Sequence, residues 1–216
     1  MLTPLLLSAA AGYLLGSLPF GYLVARAKGV NIFEVGSRNP GATNVRRVLG
    51  AGLGNVVLAL DAAKGAAAAL APWGYRLVAR ESAVALSAAE YGYLAIAGLA
   101  GAMIGHSFSC FTRFKGGKGV ATGAGGFLVL FPVGTVIAAA IWAATATLTR
   151  FVSLASMIAA VSLPISAFLL ERSPVLVSMS ALVAVFVIVR HRTNISRLMA
   201  GTELKIGQRR AVDPES

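Results

Sequence analysis

The stretch GVATGAGGFLVLFPVGTVIAAAIWAATATLT, residues 119–149, contains no charged residue and is interrupted by Pro132, next to Phe131 and close to Gly134. A helix needs roughly 20 apolar residues to cross about 30 Å of hydrocarbon. The run is therefore long for one crossing and short for two, and a proline inside a helix removes a hydrogen bond and invites a break. Whether this run crosses once or turns back at Pro132 decides the fold.

Outside it, apolar runs fall at about 3–25, 51–72, 91–111, 152–170 and 174–190, each of the length of a single membrane span. The distribution of positive charge resolves the ambiguous run. If the chain turns back at Pro132, there are seven spans, at least one of them short. With the N-terminus outside, 15 of the 19 Lys and Arg residues then fall on the cytoplasmic face. Arg76, Arg80 and Arg172 remain outside, and Lys64 lies within a span. A single crossing would put the basic C-terminal segment opposite the first two basic loops, against the positive-inside bias. The expected fold is an all-α integral membrane protein of about seven transmembrane helices, N-terminus outside and C-terminus cytoplasmic. Residues 1–201 are expected to form a single transmembrane domain, and 202–216 a polar cytoplasmic tail.

Composition agrees. Hydrophobic residues make up 57% of the 216 and charged residues only 12%, against about 25% charged in a soluble domain. The net charge of +11 does not indicate nucleic acid, whose binders carry Lys and Arg on a soluble face. Here the cations punctuate apolar runs, as at an anionic membrane surface or around anionic substrates. Cys110 is the only cysteine, so no intrachain disulfide forms. The N-terminal run lacks the basic start of a cleavable signal and reads as a retained first span. Gly12-x3-Gly16 and Gly101-x3-Gly105 are close-packing spacings expected to make ordinary helix contacts.

Three polar segments are then brought to one face. The first, Gly36 to Arg47, contains Ser37, Asn39, Gly41, Ala42, Thr43 and Asn44. Small residues let backbone N–H groups approach a ligand, and Ser, Thr, Asn and Arg add donors, which suits phosphate oxygens; the plain alternative is a solvated turn. The second, Phe114-Lys115-Gly116-Gly117-Lys118-Gly119, sets two cations around a glycine pair just before a helix start, a second anion site or a positive anchor. It is not a Walker A loop, because Thr112 and Gly119 stand where that motif needs Gly and Ser or Thr. The third runs from Arg190 to Arg197. On a continuing helix, His191, Asn194 and Arg197 recur every three residues and share a face. Asp61 and Lys64 lie within the second span at a spacing that allows pairing, which leaves a structural and a functional reading both open. His106 ends the third span. Two His and one Cys supply no metal-ligand cluster, and there is no Gly-x-Ser-x-Gly elbow or His-x4-Asp pair. No general base held by a carboxylate partner is evident.

Together these segments resemble the bacterial acyl-phosphate:glycerol-3-phosphate acyltransferases, the PlsY family. The resemblance rests on Gly16 to Gly21, Gly36 to Asn44 with Arg47, Asp61-x2-Lys64-Gly65, Gly105-His106 and Phe114 to Thr122. It extends to Ser153-Leu154 and Arg190-His191-x2-Asn194-Ile195-x-Arg197-Leu198 with Glu203. Departures fall at Arg38, where the family often has Gly, at Arg46, often apolar, and at Ser109, often Pro. The resemblance implies acyl transfer from acyl phosphate to glycerol 3-phosphate in the bacterial cytoplasmic membrane. It assigns Ser37, Arg47, Lys115, Ser153, His191 and Asn194 to catalysis. Asn39, Gly41, Ala42, Thr43, Asn44, His106, Gly116, Gly117, Lys118, Arg197 and Glu203 go to substrate binding. No cofactor or metal is implied, membrane lipid is the surrounding partner, and an association with the enzyme that makes acyl phosphate is left open. A small transporter for an organic phosphate is the rival, but it would carry its polar groups near the bilayer midplane on broken helices.

Overall fold

The computed structural model describes residues 1–78 and 86–208, the side chains of 75–78 excepted. Arg80, Arg209, Arg210 and the Arg76 side chain, assigned above to one or other membrane face, lie outside the described residues. Within them all regular secondary structure is helical. Helix α1 (Leu2–Ser17) ends before Pro19, which has no N–H to continue the ladder, and α2 (Phe20–Arg26) resumes beyond it. A polar loop leads to the short α3 (Ala42–Leu49), and Gly50, at φ 96°, turns the chain into α4 (Ala51–Val78). Ser87 and Glu90 form a reciprocal cap that starts α5 (Ala88–Ser107). After a 3-10 turn at Cys110–Thr112 come α6 (Val120–Leu130), α7 (Pro132–Thr149), α8 (Val152–Leu169), α9 (Pro174–Arg190) and α10 (Arg192–Met199).

Among the described residues, five segments are long and apolar enough to cross a membrane: Leu2–Arg26, Ala51–Gly74, Ala88–Thr112, Pro132–Thr149 and Val152–Leu169. The bent pair α9 and α10 makes a sixth. Helix α6, with 11 residues, is roughly 16 Å long, shorter than the hydrocarbon layer. Large apolar side chains such as Leu6, Leu7, Leu148 and Phe168 are exposed on the outside of the bundle, where lipid and not water is their solvent.

The run at 119–149 breaks at Pro132, which occupies the first turn of α7, where its missing N–H costs nothing. Helix α6 starts beside Lys118 and ends at Phe131, over whose ring lies the Arg172 guanidinium (5.4 Å) from the α8–α9 turn. Helix α7 then runs back: Arg150, at its end, donates from Nη2 to the Ile206 carbonyl (2.8 Å) and accepts from the Ile206 N–H (2.8 Å). The two ends of the 119–149 run thus share one face.

Glycine brings the helices together. A Cβ at Gly12 would lie 2.0 Å from the Gly98 carbonyl oxygen, and one at Gly101 2.0 Å from that of Ala9. The two glycine spacings read from the sequence therefore face each other across the α1–α5 contact. Helix α6 packs on α4 in the same way, through Gly65 against Thr122 and Gly125 against Ala62. Behind these contacts a core of Leu99, Met103, Phe127, Phe131, Leu163 and Val183 fills the space between α5, α6, α8 and α9.

Candidate active site

Four chain segments meet at the end of the bundle where α3, α6, α8 and α10 begin. In the first loop, buried Asn44 accepts from the Ser37 N–H through Oδ1 (2.8 Å) and donates through Nδ2 to the Val35 carbonyl (3.1 Å). Asn39 accepts from the Gly41 N–H (2.9 Å) and reaches toward the Gly116 carbonyl (3.5 Å), linking the first loop to the second. Arg190 donates from Nη2 to the Gly117 carbonyl (2.9 Å). The glycine pair is thereby held from two sides through its carbonyls.

Glu203 organises the other half. Its Oε1 accepts from Ser153 Oγ (2.8 Å) and from Asn194 Nδ2 (2.6 Å), and its Oε2 from Arg197 Nε (2.7 Å). Asn194 Oδ1 in turn accepts from Lys118 Nζ. Arg47 donates to the Leu204 carbonyl (3.1 Å). One network of charge-assisted hydrogen bonds therefore ties α8, α10, the start of the tail and the Lys-Gly-Gly-Lys loop together. Burial pushes the Glu203 carboxyl up, but the bonds from Arg197, Asn194 and Ser153 outweigh it and hold it below the usual glutamate range. His191 Nδ1 lies 2.7 Å from the Val187 carbonyl oxygen, which can only accept, so Nδ1 carries a proton.

The third segment does not continue straight. Helices α9 and α10 are bent by 58° at His191, whose side chain and backbone N–H both bond back to the last turn of α9. The polar α10 thus turns off the axis of α9, and His191, Asn194 and Arg197 are carried to the site by this bend and not by one straight stripe.

Two cavities open here. The first, about 460 Å³, is lined by Arg38, Lys115, Lys118, Arg190, Arg192 and Arg197, with Phe33, Ser37, Asn39, Phe114, Gly116 and Thr193 between them. The second, about 350 Å³, has a polar mouth of Ser37, Asn39, Gly41 to Asn44, Arg47, Asp61, His106, Lys118, Ser153, His191, Asn194 and Glu203. Behind that mouth lies an apolar throat, with Leu58, Phe127, Ala138, Trp142, Ala159, Leu163, Val183 and Val187 among its walls. Ser37, Asn39 and Lys118 line both cavities. Burial pushes the Lys118 ammonium down to about 8; Glu203 opposes this, and Arg197, Arg47 and Arg190 add to it.

Of the expected site residues only Gly117 lines neither cavity; it packs beneath, a Cβ there falling 2.1 Å from His106 Nε2. The cationic wall of Arg38, Arg190 and Arg192 was not assigned, nor was the apolar throat, whose residue types are those of any lipid-facing helix. His106 Nδ1 lies 3.5 Å from Asp61 Oδ1, a carboxylate pairing hidden by their distance in sequence. The departures fit locally. Arg38 adopts φ 58°, the conformation that a glycine takes without strain. Ser109 Oγ donates to the Ser17 carbonyl (2.6 Å), and Arg46 donates to Asn55 (3.2 Å). Among the described residues, no group of three or more His, Cys, Asp or Glu is placed to hold a metal ion.

Residues 6–201 match the family model described as glycerol-3-phosphate acyltransferase. The chain belongs to the glycerol-3-phosphate acyltransferase family. It is 47% identical over 194 residues to a glycerol-3-phosphate acyltransferase of Fusobacterium nucleatum, covering 89% of this chain and 93% of that one. It is 46% identical over 203 residues to one of Geobacter sulfurreducens, covering 94% and 97%. Among solved structures it resembles the glycerol 3-phosphate form of PlsY (YgiH), an integral membrane glycerol 3-phosphate acyltransferase, with a TM-score of 0.82, 34% identity and coverage of 94% and 96%. The lysophosphatidic acid form of PlsY gives a TM-score of 0.78 at 33% identity, covering 94% and 95%. With its apolar helices, the chain is a multi-pass membrane protein.

Proposed function

We propose that the chain transfers an acyl group from acyl phosphate to glycerol 3-phosphate, releasing lysophosphatidate and inorganic phosphate, at the cytoplasmic face of a bacterial inner membrane. The carrying observation is the meeting of a cationic cavity and an apolar-throated cavity at Ser37, Asn39 and Lys118. A small dianionic acceptor fits the first, and an acyl chain with an anionic head fits the second.

An acyl phosphate is a mixed anhydride with an activated carbonyl, so the main barrier is bringing two phosphates together against their repulsion. Arg47, Lys115 and Lys118 counter that repulsion with charge, and Ser37, Ser153 and Asn194 add donors. The acceptor hydroxyl oxygen attacks the carbonyl carbon, the carbon–oxygen bond to the phosphate breaks, and the departing phosphate takes the hydroxyl proton. Phosphate, with a second pKa near 6, is a competent acceptor at neutral pH. His191 orients the reacting groups through Nε2. Asn39, Gly41, Ala42, Thr43, Asn44, His106, Gly116, Gly117, Arg197 and Glu203 complete the binding surface. Residues 1–201 serve as the membrane catalytic domain and cross seven times, with the N-terminus outside. The 202–216 tail is cytoplasmic, and a separate enzyme docking at this face supplies acyl phosphate.

The test is a competition. Purified protein is given acyl phosphate, acyl-CoA and acyl carrier protein thioester with glycerol 3-phosphate, and lysophosphatidate is followed. Product should come from acyl phosphate alone. Comparable product from a thioester overturns the donor assignment, and no product from any donor overturns the reaction.

A further inference from the structure

The proposed reaction leaves the Asp61–Lys64 pair without a task. Both side chains are buried, and Lys64 Nζ lies 2.8 Å from Asp61 Oδ1. Were mutual neutralisation their only purpose, the pair would be complete in itself, since two opposite charges three residues apart cancel each other's desolvation in part. It is not self-contained. Lys64 Nζ also donates to the Leu18 carbonyl (2.9 Å) at the proline break between α1 and α2, and the same Asp61 oxygen faces His106 Nδ1 at 3.5 Å. Ser17 and Ser107, the chain neighbours of Leu18 and His106, are fully buried with hydroxyls that have no partner. So much polar content inside an apolar bundle is costly.

His106 shows where the cluster leads. The Gly117 N–H donates to the His106 carbonyl (3.1 Å). A Cβ on Gly116 would lie 2.1 Å from that carbonyl oxygen, and one on Gly117 2.1 Å from the ring Nε2. Both glycines of the Lys-Gly-Gly-Lys loop therefore rest on this one residue, backbone and ring. With Gly117 covering its Nε2 edge, the imidazole is poorly placed to take a proton from a substrate hydroxyl. On the loop's other side Arg190 and Asn39 hold the glycine carbonyls, and Lys115 and Lys118 face the cavities.

We propose that Asp61, Lys64 and His106 form a positioning unit: Lys64 ties Asp61 to the α1–α2 break, Asp61 orients the His106 ring, and that ring sets the height of Gly116 and Gly117. The unit thereby fixes where Lys115 and Lys118 present their charges to phosphate. The inference rests on the reading of this face as a phosphate-handling site, and deepens it.

The experiment compares wild type with His106→Ala, His106→Gln and the charge-free double variant Asp61→Asn/Lys64→Met. Three quantities are measured: Tm, the Kd for inorganic phosphate by calorimetry, and kcat/KM for glycerol 3-phosphate. Because the double variant leaves no unpaired buried charge, its Tm should stay near wild type. Its phosphate Kd should still rise, and its kcat/KM fall, by about tenfold or more, as expected for misplaced binding groups. His106→Ala should show the same split, and His106→Gln, which keeps a donor within reach of Asp61, should recover most of it. Wild-type Kd and kcat/KM in the double variant overturn the proposal. If that variant fails to fold, wild-type values in His106→Ala overturn it, and so does equal loss in Ala and Gln. Should the wild type form no lysophosphatidate, the reaction reading has failed, while the phosphate Kd values still decide this proposal.

Discussion

Lys118 is the charged side chain that lines both cavities, and burial pushes its ammonium down to about 8. On the proposed reading, phosphate binds the charged form, so kcat/KM should fall as pH rises through about 8. Lys118→Arg, always charged, should remove that fall. A wild-type profile flat from about pH 7 to about pH 9.5 would contradict this role. On the proposed reading of the site, replacing Arg47, Lys115 or His191 by Ala removes a hydrogen-bonding partner of a charged ligand. Each loss is worth about 1.5 to 3 kcal/mol, or roughly 10- to 100-fold in kcat/KM. Arg26, which donates to Tyr22 (2.6 Å) away from both cavities, is the control, and Arg26→Ala should stay near wild type. Equal, mild effects at all four positions would reduce the first three to membrane anchors. These residue types were legible in the sequence because polar side chains in a membrane protein stand out. What binds them was not: Glu203 lies 50 positions from Ser153 and nine from Asn194, and no periodicity announces such contacts.

Helix placement was legible where glycine, proline or charge marked it. The turn at Pro132 followed from the side on which basic residues collect, and the glycine spacings of α1 and α5 from their intervals. That these two spacings face each other is a tertiary fact that neither segment carries alone. The contact leaves no room for a side chain: a Cβ at Gly16 would fall 2.1 Å from the Ala102 carbonyl oxygen, and one at Gly105 2.2 Å from that of Tyr13. Gly16→Val should therefore force the helices apart and destabilise the fold by about 1 to 3 kcal/mol or more, read as a lower Tm in detergent with correct insertion. An unchanged Tm would mean that α1 is held elsewhere. The bend at His191 escaped the sequence, because Arg190 to Arg197 keeps a helical spacing across it. The bonds from the His191 imidazole and backbone N–H back to the last turn of α9 accompany the turn of the axis.

At the scale of the molecule, the hydrogen bonds joining the two loops, α10 and the tail place all the polar segments on one face, with Arg172 beside Phe131 at the other. Cysteines introduced at Arg38, Arg113 and Arg172, all exposed, in a Cys110→Ser background, should divide two against one under a membrane-impermeant reagent in intact cells. The first two should be protected and the third labelled. Labelling at both Arg38 and Arg113 would invert the topology.

The two cavities that meet at Lys118 differ in solvent as much as in shape. One opens among cations and suits a solute counted per litre of water; the other ends in a throat of Leu, Phe and Ala side chains and suits an amphiphile counted per unit of bilayer. Turnover is then a reaction across a phase boundary, with its two reactants measured in different concentration units. Adding inert lipid at fixed total donor should slow the enzyme by surface dilution. Adding buffer at fixed glycerol 3-phosphate concentration, with donor and lipid in fixed ratio, should leave the rate per enzyme unchanged.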